Sequence, residues 1–136
     1  MSVAPVDFGA PPAPRPAWFP AAARRLAAAP AAEVLAWAVA TFGANLSVAC
    51  SMQDAVLVDL AVRADPQIEV VFLDTGFHFA ETLETAWRLR ARYDLNLVTL
   101  RPDGDATTYR TGGIEACCEA RTVAPLDRHL AGRAAW

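Results

Sequence analysis

Lysine is absent from this chain of 136 residues, cysteine occurs three times and histidine only twice. All 12 basic residues are arginine, and with 15 acidic residues the formal net charge is −3. This balance gives no electrostatic basis for binding nucleic acid. No apolar run reaches the roughly 18 residues of a membrane-spanning helix, so we expect no membrane span. Three cysteines, an odd number, exclude a secreted disulfide scaffold.

The location of the protein is predicted from its N-terminus and its cysteine content. Residues 1–16, "MSVAPVDFGAPPAPRP", lack the basic start and apolar core of a signal peptide. We therefore expect a cytoplasmic protein with reduced thiols. Hydrophobic residues make up 54% of the chain, which is enough for the core of one domain.

The first 30 residues differ in composition from the rest. They are rich in alanine and proline, so we predict a flexible arm over residues 1–30 and a folded domain over residues 31–136. A short helical turn within residues 18–30 would let Trp18 and Phe19 anchor this arm on the domain.

Beyond the arm, helical and strand patterns alternate. They predict helices over 31–42, 54–64 and 80–94, and strands over 45–50, 68–74 and 95–100. We predict a loop over 101–113 and a last helix over 118–130, with Pro125 awkwardly inside it. The order predicts an α/β fold, a parallel sheet with helices on both faces. Ligands of such sheets bind beyond the carboxyl ends of the strands.

The loop after the first strand reads "SMQD". Ser51 and Asp54 are three residues apart, which is the spacing of a capping box, with Ser51 as the N-cap of the next helix. The same loop could instead hold a phosphate or sulfate, because helix N–H groups and a hydroxyl attract anions. Capping is the simpler interpretation. Cys50, at the end of the strand, is expected to be a small buried hydrophobe.

The loop after the second strand reads "DTGFHF". Asp74, Thr75 and Gly76 form either a plain turn or a place where the backbone approaches a flat ligand. In the second case the backbone of Leu73 and Thr75 would read the edge of a base. His78 has no partner nearby in sequence and is expected to be a packed or surface histidine.

Cys117 and Cys118 are adjacent. A disulfide between neighbours departs far from normal disulfide geometry, and one zinc ion usually takes thiolates spaced C-x-x-C. An iron–sulfur cluster accepts divergent thiolates, since each binds a separate iron. The spacing alone leaves two unrelated thiols as the simplest interpretation.

Three stretches together resemble the assimilatory sulfonucleotide reductases, over residues 45–136. They are "SMQDAVLVDLA", "VVFLDTGFHFAETLETAWRL" and "CCEARTVAPLDRHLAGRAAW". The resemblance implies a fold like the adenine nucleotide α-hydrolases. It also implies reduction of adenosine 5′-phosphosulfate to sulfite and AMP, for sulfate assimilation and cysteine biosynthesis, with thioredoxin or glutaredoxin as electron donor. The vicinal cysteines point to the iron–sulfur branch, whose members prefer this substrate to its 3′-phosphorylated relative.

The resemblance also assigns site residues. The phosphosulfate would be bound by Ser51, Gln53 and Asp54. The adenosine would lie at Leu73, Asp74, Thr75 and Gly76. Cys117 and Cys118 would be two of the four ligands of a 4Fe–4S cluster.

The chain departs from the family pattern in three ways. The second cysteine pair and the nucleophilic cysteine are expected beyond Trp136, so we expect the N-terminal, C-terminally truncated part of a reductase, inactive alone. Thr122 stands where the family usually has lysine, and the loop between Pro102 and Cys117 is short. Alternatives are a non-catalytic nucleotide-binding remnant and a phosphoadenosine phosphosulfate reductase. A homo-oligomer is compatible with all of these, and an ATP pyrophosphatase is disfavoured because "SMQD" is not a glycine-rich loop.

Overall fold

Three parallel strands form the sheet in the computed structural model, which describes residues 16–103 and 108–136. They are β1 (Ser47–Ala49), β2 (Glu69–Leu73) and β3 (Leu97–Leu100), and β2 lies in the middle. Helices α3 (Val56–Ala64) and α4 (Ala80–Tyr93) connect successive strands, as parallel pairing requires. The three predicted strands and both connecting helices are confirmed.

One face of the sheet carries the hydrophobic core. Side chains alternate along a strand, so Val70 and Phe72 of β2 point to this face together with Val48 of β1. The helices cover it with four buried side chains: Val58, Ala61, Ala86 and Leu89. Burial of these apolar groups is the main stabilising contribution to the domain.

Two helices precede the sheet. Helix α2 (Ala31–Phe42) follows Pro30 and ends at Gly43, whose φ of 52° is readily adopted by glycine, and it packs against α3. Helix α1 (Phe19–Leu26) lies within the predicted arm, and an aromatic cluster of Trp18, Trp37 and Phe42 joins it to α2. Residues 1–15 lie outside the described residues, and the division at residue 30 remains a prediction.

A polar cluster lies on the opposite face, at the amino ends of β1 and β2. It is referred to as the amino-end cluster and consists of Ser47, Glu69, His129 and Arg133. The Glu69 carboxylate accepts hydrogen bonds from Ser47 Oγ at 2.6 Å and His129 Nε2 at 2.8 Å, and it pairs with Arg133. These bonds fasten the C-terminal helical segment to the sheet, so helices cover both faces as predicted.

The C-terminal helical segment begins earlier than the sequence predicted. Helix α5 (Tyr109–Cys118) starts inside the predicted loop, because the side chains and backbone of Thr108 and Thr111 form a reciprocal cap. Gly113, with a φ of 78°, kinks it. The prediction of a loop reaching residue 113 was therefore wrong, although residues 104–107 of that loop lie outside the described residues.

The predicted last helix is not one continuous α-helix. A π-helical turn over Glu119–Val123 follows α5, and helix α6 (Ala124–Leu130) follows the turn. Pro125 therefore lies in the first turn of α6, where its missing N–H group leaves no bond unmade. The difficulty of a proline inside the helix is resolved by the break that precedes it.

The C-terminal residues run alongside β1 at its free edge. Ala135 forms a parallel bridge with Leu46, and its carbonyl accepts a hydrogen bond from Ser47 N at 3.1 Å. Within residues 16–103 and 108–136, none of the helices has the length and apolar character that crossing a membrane would require.

Candidate nucleotide site

Two loops meet at the carboxyl edge of the sheet. The first covers residues 50–55 after β1, and the second covers residues 74–79 after β2. Because β1 and β2 are neighbours and parallel, their following loops are also neighbours. The structure therefore brings both sequence-predicted loops to one edge, which is where ligands of parallel sheets bind.

Met52 anchors the first loop. Its side chain is only 1% exposed, although its φ of 59° is a left-handed value that costs a residue with a side chain about 1–2 kcal/mol. Its N–H group points toward Cys50 Sγ at 3.4 Å, and Cys50 is half-buried. A strained residue held by its own burial fixes the loop, while Ser51 and Gln53 beside it are exposed.

The predicted capping box is not formed. Helix α3 begins at Val56, so Ser51 lies well outside its first turn. Instead, Asp54 Oδ1 accepts a hydrogen bond from Val56 N at 2.9 Å. Ser51 was wrong as the N-cap because the chain makes the Met52 turn before the helix starts. The carboxylate of Asp54 occupies the N-terminus of α3, so the exposed polar side chains left for an anion are those of Ser51 and Gln53.

Asp74 organises the second loop. Its Oδ1 accepts from Gly76 N at 3.1 Å, and its Oδ2 pairs with Arg101 Nε at 3.0 Å. Burial alone would raise the pKa of Asp74, but the hydrogen bonds from Arg101 and Gly76 N and the charge of Arg101 outweigh it. The pKa is therefore held below its ordinary value of 3.8. Asp74 is therefore ionised, and its hydrogen bonds stabilise the turn from within.

The backbone of Leu73 and Thr75, which was predicted to read a base edge, already has partners at both carbonyl groups. Leu73 O accepts from His78 Nε2 at 2.8 Å, and the His78 ring packs on Phe72 with centroids 5.0 Å apart. Thr75 O accepts from Arg121 Nη1 at 2.9 Å. His78 is thus a packed histidine, as expected, but with a definite structural partner. Each carbonyl oxygen has a second lone pair, so a further contact is not prevented.

Sequence reasoning missed two arginines at this edge. Arg101 follows β3 and braces Asp74, but it lies in no motif that would have marked it. Arg121 lies three residues after Cys118, in the stretch CC-x-x-R, and no role had been assigned to it. Its guanidinium carbon lies 4.6 Å from the centre of the Phe77 ring. Both arginines reach their partners from distant parts of the chain.

The vicinal cysteines end α5 with free thiols. Cys117 is half-buried and Cys118 is exposed, so both could act as ligands. In the part of the chain that the structure describes, no three Cys, His, Asp or Glu side chains come together as a metal site. The pair therefore fits two positions of a four-thiolate cluster, and the described residues do not supply the other two.

The fold places the chain among the parallel α/β domains, a class in which ligands commonly bind beyond the carboxyl ends of the strands. The sequence family described as the phosphoadenosine phosphosulfate reductase domain matches residues 43–136. Since this match covers more than half of the chain, the chain belongs to that family.

Several bacterial relatives are named adenosine 5′-phosphosulfate reductase. That of Streptomyces coelicolor is 44% identical over an alignment of 123 residues, with 85% of this chain and 52% of the relative covered. That of Mycobacteroides abscessus is 42% identical over 122 residues, with 84% and 52% covered. The chain thus spans about half the length of the curated relatives it matches.

A solved structure agrees with the fold. The phosphoadenylyl-sulfate reductase of Candida auris, crystallised as a phosphate complex, matches with a TM-score of 0.69 at 22% identity. The match covers 86% of this chain and 64% of that one. This similarity confirms the α/β fold that the sequence predicted.

Proposed function

We propose that this chain forms the nucleotide-binding part of an enzyme that reduces adenosine 5′-phosphosulfate to sulfite and AMP. The contact between Arg121 and Thr75 O, at 2.9 Å, is the observation that carries the proposal. It joins the cysteine-bearing helical segment to the turn after β2, which supports a cluster and a nucleotide held by neighbouring parts of the chain. The bacterial relatives named adenosine 5′-phosphosulfate reductase support this choice of substrate.

In this proposal the adenosine lies against the turn from Leu73 to Gly76. Gly76 has a φ of 80°, which glycine adopts readily, and Arg121 Nη1 lies 3.2 Å from the position that a Cβ atom would occupy, so the turn favours glycine here. The ionised Asp74 holds the turn from within. Ser51 and Gln53, both exposed, would face the phosphosulfate, while Asp54 would orient their loop by capping α3.

Cys117 and Cys118 would hold two corners of a 4Fe–4S cluster, with the remaining ligands provided from outside the described residues. When bound, such a cluster would contribute through electrostatics and positioning rather than by carrying electrons. The electrons for sulfite formation would come from thioredoxin or glutaredoxin, and a reductase of this kind would act in the cytoplasm.

Nucleotide binding tests the first part of the proposal. Isothermal titration calorimetry of the chain with AMP should show one site, with weaker binding of adenosine 3′,5′-bisphosphate. Tighter binding of the bisphosphate would favour the 3′-phosphorylated substrate. Absence of binding to both would contradict the proposed function.

Anaerobic iron and sulfide analysis tests the second part. Cys117→Ser and Cys118→Ser should each lower the iron content after reconstitution, whereas Cys50→Ser, at the end of β1, should not. Equal iron content in all three variants would contradict the assignment of the cysteine pair. A protein that binds AMP but takes up no iron would support the nucleotide site and contradict the cluster.

A further inference from the structure

The turn that follows the cysteine pair has an uncommon geometry. Residues Glu119–Val123 form a π-helical turn between α5 and α6. Such turns are rare, they widen the helix by one residue, and they occur often at functional sites. Arg121 is the central residue of this turn, and its side chain reaches the second loop.

The guanidinium of Arg121 contacts three consecutive residues of that loop. It donates to Thr75 O at 2.9 Å, and it lies over the ring of Phe77 at 4.6 Å. Between them, a Cβ atom at Gly76 would come within 3.2 Å of Arg121 Nη1. A planar guanidinium can donate a hydrogen bond and stack on an aromatic ring at the same time, and the ammonium group of lysine does not reproduce both contacts.

The docking of the C-terminal segment does not depend on this contact alone. The amino-end cluster fastens the segment through Glu69, at the other end of the sheet from Arg121. Arg128 adds a surface ion pair with Asp103 at 3.0 Å. Loss of the Arg121 side chain should therefore leave the segment docked and free only the turn.

We propose that Arg121 is a positioning residue for nucleotide binding, because it fixes the turn Thr75–Phe77 in the shape that meets the adenosine. The inference rests on the proposed function, and it names a residue that holds the nucleotide site in shape. Arg101 braces the turn through Asp74 on one side, and Arg121 holds it from the other. Nucleotide affinity then depends on a side chain that lies in the cysteine-bearing segment.

The test measures AMP binding by calorimetry on the 136-residue chain. Arg121→Met, which keeps the length but loses the donor and the charge, should bind AMP about tenfold more weakly, as expected for loss of a charged hydrogen bond. Arg121→Lys should lie between this variant and the parent. Arg128→Met is the matched control in the same segment and should bind AMP like the parent.

Hydrogen exchange separates positioning from general stability. In Arg121→Met the amides of Gly76 and Phe77 should exchange faster, while those of Val70 and Val71 in the central strand should keep the parent rate. A structural role alone would raise exchange throughout the sheet, and that result would overturn the inference.

The outcomes also separate this inference from the function on which it rests. If the parent does not bind AMP, the proposed function fails and the inference fails with it. If the parent binds and Arg121→Met binds equally well, the inference alone is wrong and the nucleotide site remains.

Discussion

Glu69 is the residue whose loss should most clearly weaken the attachment of the C-terminal segment. Its side chain is 13% exposed and lies between Ser47 of β1 and two basic side chains. His129 and Arg133, which are 17% and 25% exposed, both bind its carboxylate. Glu69→Gln keeps the shape of the side chain and removes its charge, so it isolates the ionic contribution.

The expected destabilisation follows from these contacts. A hydrogen bond to a charged group contributes about 1.5–3 kcal/mol, against about 0.5–1.5 kcal/mol for a neutral one. The Arg133 bond alone should therefore lose about 1 kcal/mol, and the amide, with one acceptor oxygen instead of two, should lose about as much with its other partners. We expect a decrease of about 2 kcal/mol in the free energy of unfolding, the sum of these two losses. For a domain of this size that corresponds to a lower Tm by about 8 °C.

The dependence of this loss on pH has a definite sign. Burial alone raises the pKa of Glu69, but hydrogen bonds from Ser47 and His129 and the charge of Arg133 hold it below its ordinary value of 4.5. A carboxylate with a lowered pKa in the folded state stabilises the protein above its unfolded pKa. That stability is lost as the pH falls through the folded pKa. The difference in the free energy of unfolding between the parent and Glu69→Gln should thus be largest at pH 7 and should decrease below pH 4.5.

Urea unfolding followed by tryptophan fluorescence measures this difference at several pH values. Glu84→Gln is the matched control, since Glu84 also pairs with an arginine, Arg88, but both side chains are more than half exposed. It should change the free energy of unfolding by less than about 0.5 kcal/mol. Equal stability of Glu69→Gln and Glu84→Gln, or a difference that does not vary with pH, would refute this account of the amino-end cluster.

Four further variants test the loops at the carboxyl edge and the kink in α5 by urea unfolding. Gly76→Ala should cost about 1–2 kcal/mol for its left-handed φ of 80°, and it should also weaken AMP binding through the contact with Arg121. Gly113→Ala, with a φ of 78° and open space around it, should cost about the same without affecting AMP. Asp74→Asn should lose about 1 kcal/mol at pH 7, and the loss should fade in acid because the pKa of Asp74 is lowered; a constant difference would contradict this. Met52→Ala should lose about 2–4 kcal/mol from its buried side chain, and a loss below about 1 kcal/mol would show that the loop is not anchored there.

The sheet and its connecting helices could be predicted because periodicity reports burial directly. The run "IEVVFLD" is apolar on both faces, as a central parallel strand must be, and β2 is the middle strand. In helix α4, apolar residues recur with the period of a helix that packs on one side. Gly43 and Pro30 marked the ends of α2 correctly, since their backbone preferences act locally.

The candidate site was only partly predictable, because its interactions join distant residues. The two loops could be placed at one edge from strand order, but the partners of their backbone groups could not. Arg121 is 46 residues from Thr75 in sequence, and it lies in a π-helical turn that no local pattern indicated. The start of α5 was missed for another reason, since Thr111 stands where a capping box usually has Glu or Gln.

The two ends of the sheet differ in the kind of structure they hold. At the amino end, Glu69 satisfies several partners in a partly buried cluster, an arrangement that contributes stability. At the carboxyl end, Met52 and Gly76 hold left-handed backbone conformations, and Phe77 is 58% exposed. Strain and exposed apolar surface cost stability, so they persist where binding requires a fixed shape. Substitutions at the amino end should therefore lower stability with little effect on AMP affinity, whereas Arg121→Met at the other end should do the reverse.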